Sequence, residues 1–149
     1  MFVIIYTERV KALSKHLFIA TIRPLTDIKH IEDKHDVGLI PAKEYQQDGN
    51  LPFTLPYVYK MFNNTKDSFL TFIDEIMDIG DAIEVYEYWE GSGLPKSSNM
   101  PNEARTINLL TYTYKDEYGE YSLNKKRWLE ELDSRTCISH RSVTTFVKY

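Results

Sequence analysis

Residues 65–90 read TKDSFLTFIDEIMDIGDAIEVYEYWE, and the change of rhythm inside this stretch decides the fold. Phe69, Leu70, Phe72, Ile73, Ile76, Met77 and Ile79 recur at spacings of three and four, which places them on one face of an α-helix. Thr65 offers a side-chain oxygen to the first unbonded amides, and Gly80 suits the left-handed residue that ends a helix. From Ala82 to Trp89 the period drops to two. Ile83, Val85, Glu87 and Trp89 fall on one face of a strand, with Glu84, Tyr86 and Tyr88 on the other.

Working outward, residues 2–7 and 17–23 are runs of β-branched and aromatic side chains, apolar on both faces, as expected of strands covered on both sides. Glu8 to His16 reads as a short helix or polar turn, and Asp27 to Asp36 as a charged helical turn capped by Thr26. From Val37 to Pro56, two glycines and three prolines predict a long surface excursion, tacked to the core by Leu39, Ile40, Leu51, Phe53 and Leu55. Downstream, residues 90–104 form a loop rich in Gly, Pro, Ser and Asn, and 91–102 could close over a pocket. Arg105 to Tyr114 reads as one strand, Asp116 to Gly119 as a hairpin turn, Lys125 to Asp133 as a short helix capped by Asn124, and Thr136 to Lys148 as a last strand. The fold class that results is α+β. Residues 1–149 are expected to form a single domain, with a mixed, mostly antiparallel sheet of five to six strands and two main helices packed on it.

Bulk composition narrows the classes. The chain of 149 residues is 42% hydrophobic, 13% aromatic and 27% charged, enough to bury a core without metal or disulfide staples. Cys137 is the single cysteine, so no internal disulfide forms, and a reducing cytoplasm is the expected location. Met1 to Tyr6 is too short an apolar run for a secretory signal, and no run approaches the ~20 residues of a membrane span. Few alanines beside eleven tyrosines point to an AT-rich bacterial or phage genome.

Charge is the least random feature. Asp67, Asp74, Glu75, Asp78, Asp81, Glu84, Glu87 and Glu90 lie in one segment that holds no lysine or arginine. That segment carries −8. The remaining 18 bases and 14 acids amount to +4, for an overall −4. One reading is the wet side of a helix. The other is an acidic face that steers a basic protein partner, with Tyr86, Tyr88 and Trp89 as apolar anchors. Tyr112, Tyr114, Tyr118 and Tyr121 crowd the next hairpin, and would share a sheet face with those anchors if the two strands pair. The partner-binding set is then Asp74, Glu75, Asp78, Asp81, Glu84, Tyr86, Tyr88, Trp89 and Glu90. Carboxylates at this density argue against direct nucleic-acid binding, which rests on neutralising phosphate.

Catalytic signatures are weak. Glu87 shares a face with Ile83, Val85 and Trp89; a desolvated carboxylate beside an indole can serve as a general acid, or simply pair with a base such as Arg105. Cys137 and His140 suggest a nucleophile and base, but residues three apart on a strand point to opposite faces. His30 and His35 sit among acids at a spacing of five, which suits a solvated charged turn better than a metal site. No metal, cofactor or phosphate-loop motif is present.

The expected function is therefore a non-enzymatic protein-binding module. It would be an inhibitor or immunity-type protein that neutralises a basic, nucleic-acid-acting partner. The alternatives are a small enzyme or nucleotide-binding protein with a His/Glu/Cys pocket, and an assembly protein whose exposed strands form a homo-oligomer.

Overall fold

The computed structural model describes residues 15–43, 51–62, 66–89, 104–134 and 143–149. Within them the order is β1 (Lys15–Thr21), α1 (Ile28–His35), β2 (Gly38–Pro41), β3 (Tyr57–Phe62), α2 (Lys66–Ile76) and β4 (Ala82–Trp89). It continues with β5 (Arg105–Asn108), β6 (Thr113–Asp116), β7 (Gly119–Ser122), α3 (Trp128–Ser134) and β8 (Val143–Val147). The class is α+β. The sheet is larger than expected: eight strands rather than five to six, in the order β2-β3-β1-β4-β8-β5-β6-β7, with three helices rather than two. It is mixed, because β5 and β8 run parallel while every other neighbouring pair is antiparallel.

β1 and β4 occupy the middle because both of their faces are apolar. Leu17, Ile19, Ile83 and Val85 join Phe69, Phe72 and Ile73 of α2, and Leu132 of α3, in the main core. Phe18, Ala20 and Tyr86 point to the other face, where Leu51, Phe53 and Ala42 cover them. The doubly apolar run in 17–23 thus meets the covering that its composition demands. Phe72 and Ile73 are completely buried, and truncating such side chains costs about 2–5 kcal/mol.

Several expectations are corrected. The 37–56 excursion contains an edge strand, β2, and its Ile40 is exposed rather than tacked to the core. β3 went unrecognised because Lys60 interrupts its apolar pattern. In the fold the Lys60 ammonium lies 5.9 Å from the Phe18 ring centre and 5.3 Å from that of Phe62, so its stem behaves as apolar surface. The expected strand 105–114 is a hairpin. Asn108 Oδ1 accepts from the amides of Leu110 (2.9 Å) and Thr111 (3.2 Å), and Tyr112 takes the left-handed conformation at φ 55°. β4 does not pair with the 105–114 region, because β8 lies between β4 and β5. Tyr86 and Tyr114 accordingly belong to separate clusters.

Helix boundaries also shift. α1 runs for eight residues, and its start is Asp27 in a left-handed conformation with no side-chain cap, not Thr26. α2 ends at Ile76, which leaves Ile79 exposed, and Gly80, expected to end the helix, takes its left-handed φ of 98° in the turn that leads into β4 instead. α3 starts at Trp128, after a turn in which the Lys126 amide donates to Asn124 Oδ1 at 2.9 Å. The turn at Asp116–Gly119 forms as expected, with Gly119 at positive φ. The expected strand at 2–7, the Glu8–Ser14 stretch, the Thr65 cap and the 90–103 loop lie outside the described residues.

The β2 edge is sealed. Ala42 donates its amide inward to Val58 O at 2.8 Å, so Gly38 and Ile40 also face β3 while Leu39 and Pro41 face outward. The Leu39 amide donates to Glu32 Oε2 at 3.0 Å, and Pro41 has no amide hydrogen to offer.

Candidate functional site

The acids of the 67–90 segment do not lie together on one strand face. Glu84 and Tyr86 alternate onto the face away from the helices, and both are buried. There Glu84 Oε1 accepts the amides of Thr54 (2.8 Å) and Leu55 (2.7 Å), and Oε2 accepts the Thr54 hydroxyl at 3.0 Å. The carboxylate is a staple that holds the 51–56 segment against the sheet. Glu87 is half-buried opposite Leu17, on the face that carries the helices. Tyr88 and Trp89 belong to β4, but their side chains are not described; Glu90, Cys137 and His140 lie outside the described residues.

The Asp67 side chain is not described, and Asp74, Glu75, Asp78 and Asp81 gather where α2 ends and the chain turns into β4. This end of the helix is fixed by Lys148, which follows β8. The Lys148 ammonium donates to the carbonyls of Asp74 (2.7 Å) and Met77 (3.0 Å) and pairs with Asp74 Oδ1 at 3.0 Å. A cation here satisfies helix carbonyls that lack an intrahelical partner and suits the negative end of the dipole. Asp81 is the buried member of the group, its side chain 12% exposed. It accepts Arg23 as a fork, Nε at 3.0 Å and Nη2 at 2.7 Å, together with the Asp78 amide at 2.8 Å. Burial opposes ionisation of Asp81, but the Arg23 and Asp78 hydrogen bonds and the charges of Arg23 and Lys148 outweigh it. Its carboxyl is held below the usual carboxylate range. Asp78 itself meets Arg23 by one contact of 3.2 Å and is 80% exposed.

Arg23, Asp78 and Asp81, with Glu75 but without Asp74 or Lys148, line a cleft of about 500 Å3 between the 21–26 segment, α1 and the end of α2. The segment leaving β1 is held by the buried Tyr59, whose hydroxyl accepts the Leu25 amide at 2.9 Å. Leu25, Ile31 and Ile76, each partly buried against the main core, supply the apolar floor. At the end away from Arg23, Glu75 Oε2 lies 3.6 Å from the Lys34 ammonium and 3.4 Å from His35 Nε2. The His35 ring stands edge-on to Phe72 at 5.1 Å. His35 is therefore packed between α1 and α2, where a solvated charged turn was expected; His30 is exposed on the rim.

Of the expected partner-binding residues, Asp74, Glu75, Asp78 and Asp81 are brought together; Glu84 and Tyr86 are set apart on the other face. Arg23 and Lys148 were missed as partners of these acids. Their signal was arithmetic: an excess of +4 outside a segment of −8 has somewhere to fold back to. The cleft holds three carboxylates (Glu75, Asp78, Asp81) and two permanent cations (Arg23, Lys34). Among the described residues, no three His, Cys, Asp or Glu side chains form a group able to hold a metal ion. No described helix is long and apolar enough to cross a membrane. Comparison with protein-family models, curated proteins and solved structures finds no match in any of the three.

Proposed function

We propose that the chain is a non-enzymatic binding protein that receives a basic segment of a protein partner in the cleft between α1 and the end of α2. An inhibitor or immunity-type protein acting on a basic, nucleic-acid-binding partner fits this reading. The observation that carries it is the unequal hold on the cleft's carboxylates. Asp81 is committed to Arg23 by a part-buried fork, whereas Asp78 meets Arg23 by one exposed contact at 3.2 Å and Glu75 meets Lys34 and His35 by longer ones at 3.6 and 3.4 Å. Exposed pairs of this kind are worth about 0–1 kcal/mol. An incoming guanidinium or ammonium can therefore replace Arg23 on Asp78, or Lys34 on Glu75, at small cost. Its aliphatic stem would lie on Leu25, Ile31 and Ile76.

A cleft of about 500 Å3 also falls within the range of small-ligand sites. Arg23, His30 and Lys34 on the rim favour an anionic small molecule, such as a nucleotide, as the second reading.

Titration with an arginine-rich tetrapeptide, and separately with a nucleoside triphosphate, tests the two. The first reading expects peptide binding that weakens with salt and falls about fivefold with Asp78→Asn or Glu75→Gln. Peptide affinity indifferent to both substitutions and to salt refutes it. Nucleotide binding lost in Lys34→Ala selects the second reading.

A further inference from the structure

The open sheet has one edge sealed by Glu32 and Pro41; the opposite edge, β7, is built otherwise. The Leu123 amide donates to Tyr112 O at 2.7 Å, which sets the phase of the β6–β7 ladder. Tyr114–Tyr121 and Asp116–Gly119 are then the inward-bonded pairs, and the main-chain groups of Glu120 and Ser122 point away from the sheet. Among the described residues no group meets them, and all four residues of β7 are exposed. β7 holds no proline, and among the described residues no carboxylate is bonded to its outward amides.

The sequence around β7 is complementary to its own reverse. Residues 116–127 read DEYGEYSLNKKR, acidic at one end and basic at the other. Turned antiparallel about Tyr121, Glu120 faces Ser122 of a second copy, and Glu117, in the hairpin turn just before β7, comes to the end at which Lys125 of that copy follows its own β7. Glu117, Lys125 and Lys126 are exposed. An axis at Glu120 would set that carboxylate against itself, and parallel addition would set like charge against like. The Tyr121 axis also suits the hydrogen-bond phase: Glu120 and Ser122, the two outward residues, become partners, giving about four new main-chain bonds. Tyr121, 37% exposed and 6.1 Å ring to ring from Tyr114, would then face its own copy on the helix-bearing side.

We infer that β7 pairs antiparallel with β7 of a second copy about a two-fold axis at Tyr121, joining two sheets into one. The surface is isologous and closes at the dimer.

Sedimentation equilibrium of the full chain tests this. The wild type is expected to dimerise, and Ser122→Pro, which removes an outward amide that β6 does not use, to be monomeric, with the thermal midpoint the wild type shows at dilutions where it too is monomeric. Glu117→Lys and Lys125→Glu should each weaken the dimer roughly tenfold, two pairs being lost per dimer, and the double variant should restore it. A wild type that stays monomeric up to about 1 mM overturns the inference. So does a dimer that survives Ser122→Pro, or a double variant no tighter than the singles.

Discussion

Replacing Asp81 with Asn probes the hinge between α2 and β4 with almost no change of shape. The carboxylate accepts two bonds from Arg23 and one from the Asp78 amide. The amide keeps one oxygen and turns an NH2 group toward a donor, so at least one of those bonds is lost along with the charge. A hydrogen bond to a charged group contributes about 1.5–3 kcal/mol. The Arg23 side chain is 61% exposed, and solvent screening cuts its share to the scale of a surface pair. The expected cost near neutral pH is about 1–2 kcal/mol, which lowers the urea midpoint by roughly 0.5–1 M.

The pH dependence follows from the depressed ionisation of Asp81. A carboxyl bound more weakly by its proton when folded than when unfolded stabilises the fold above its unfolded pKa, about 3.9. That contribution disappears as pH falls through the lower, folded value. Wild type and Asp81→Asn should therefore differ at pH 7 and at pH 5, and converge below about pH 4. Urea unfolding followed by circular dichroism at each pH measures the difference. Equal stability at pH 7, or a gap that persists unchanged into acid, would refute the assignment of the Arg23 fork as a stabilising contact.

Glu84→Ala strands the amides of Thr54 and Leu55, and should cost about 2–3 kcal/mol. Limited proteolysis between residues 51 and 56 should accelerate, and an unchanged cleavage rate would contradict the staple. Phe72→Ala, at a fully buried site against His35, should lose about 3–5 kcal/mol, read as a thermal midpoint roughly 6–20 °C lower. Glu32→Ala combined with Pro41→Ala gives β2 two unmet outward amides, and light scattering should show assemblies larger than those the parent forms.

Much of the fold was legible where one residue type at one spacing admits a single environment. The three-and-four spacing of Phe69 to Met77 allows only a helix with one buried face, and the doubly apolar run of β1 allows only a central strand. Gly80 and Gly119 marked their turns because positive φ is cheap only there. Strands β2 and β3 were hidden by local chemistry that tertiary contacts override, Pro41 sitting harmlessly on an edge and Lys60 spreading its stem over two phenylalanine rings. The hairpin inside 105–114 was missed because Asn108 and Tyr112 make its turn without glycine or proline.

The candidate site shows the same divide. The acidity of residues 67–90 was plain from composition, but its distribution was not, because alternation along β4 sends Glu84 to one face and Glu87 to the other. The ends of α2 and β1 bring Arg23 to Asp78 and Asp81 across more than fifty residues of chain, and β8 carries Lys148 to Asp74. Periodicity speaks for each element's own faces and ends, since those depend on neighbours a few residues away. Which elements become neighbours depends on how the whole set of apolar faces can be covered at once. That packing placed β8 between β4 and β5, opened the cleft beside α1, and left β7 as the unsealed edge.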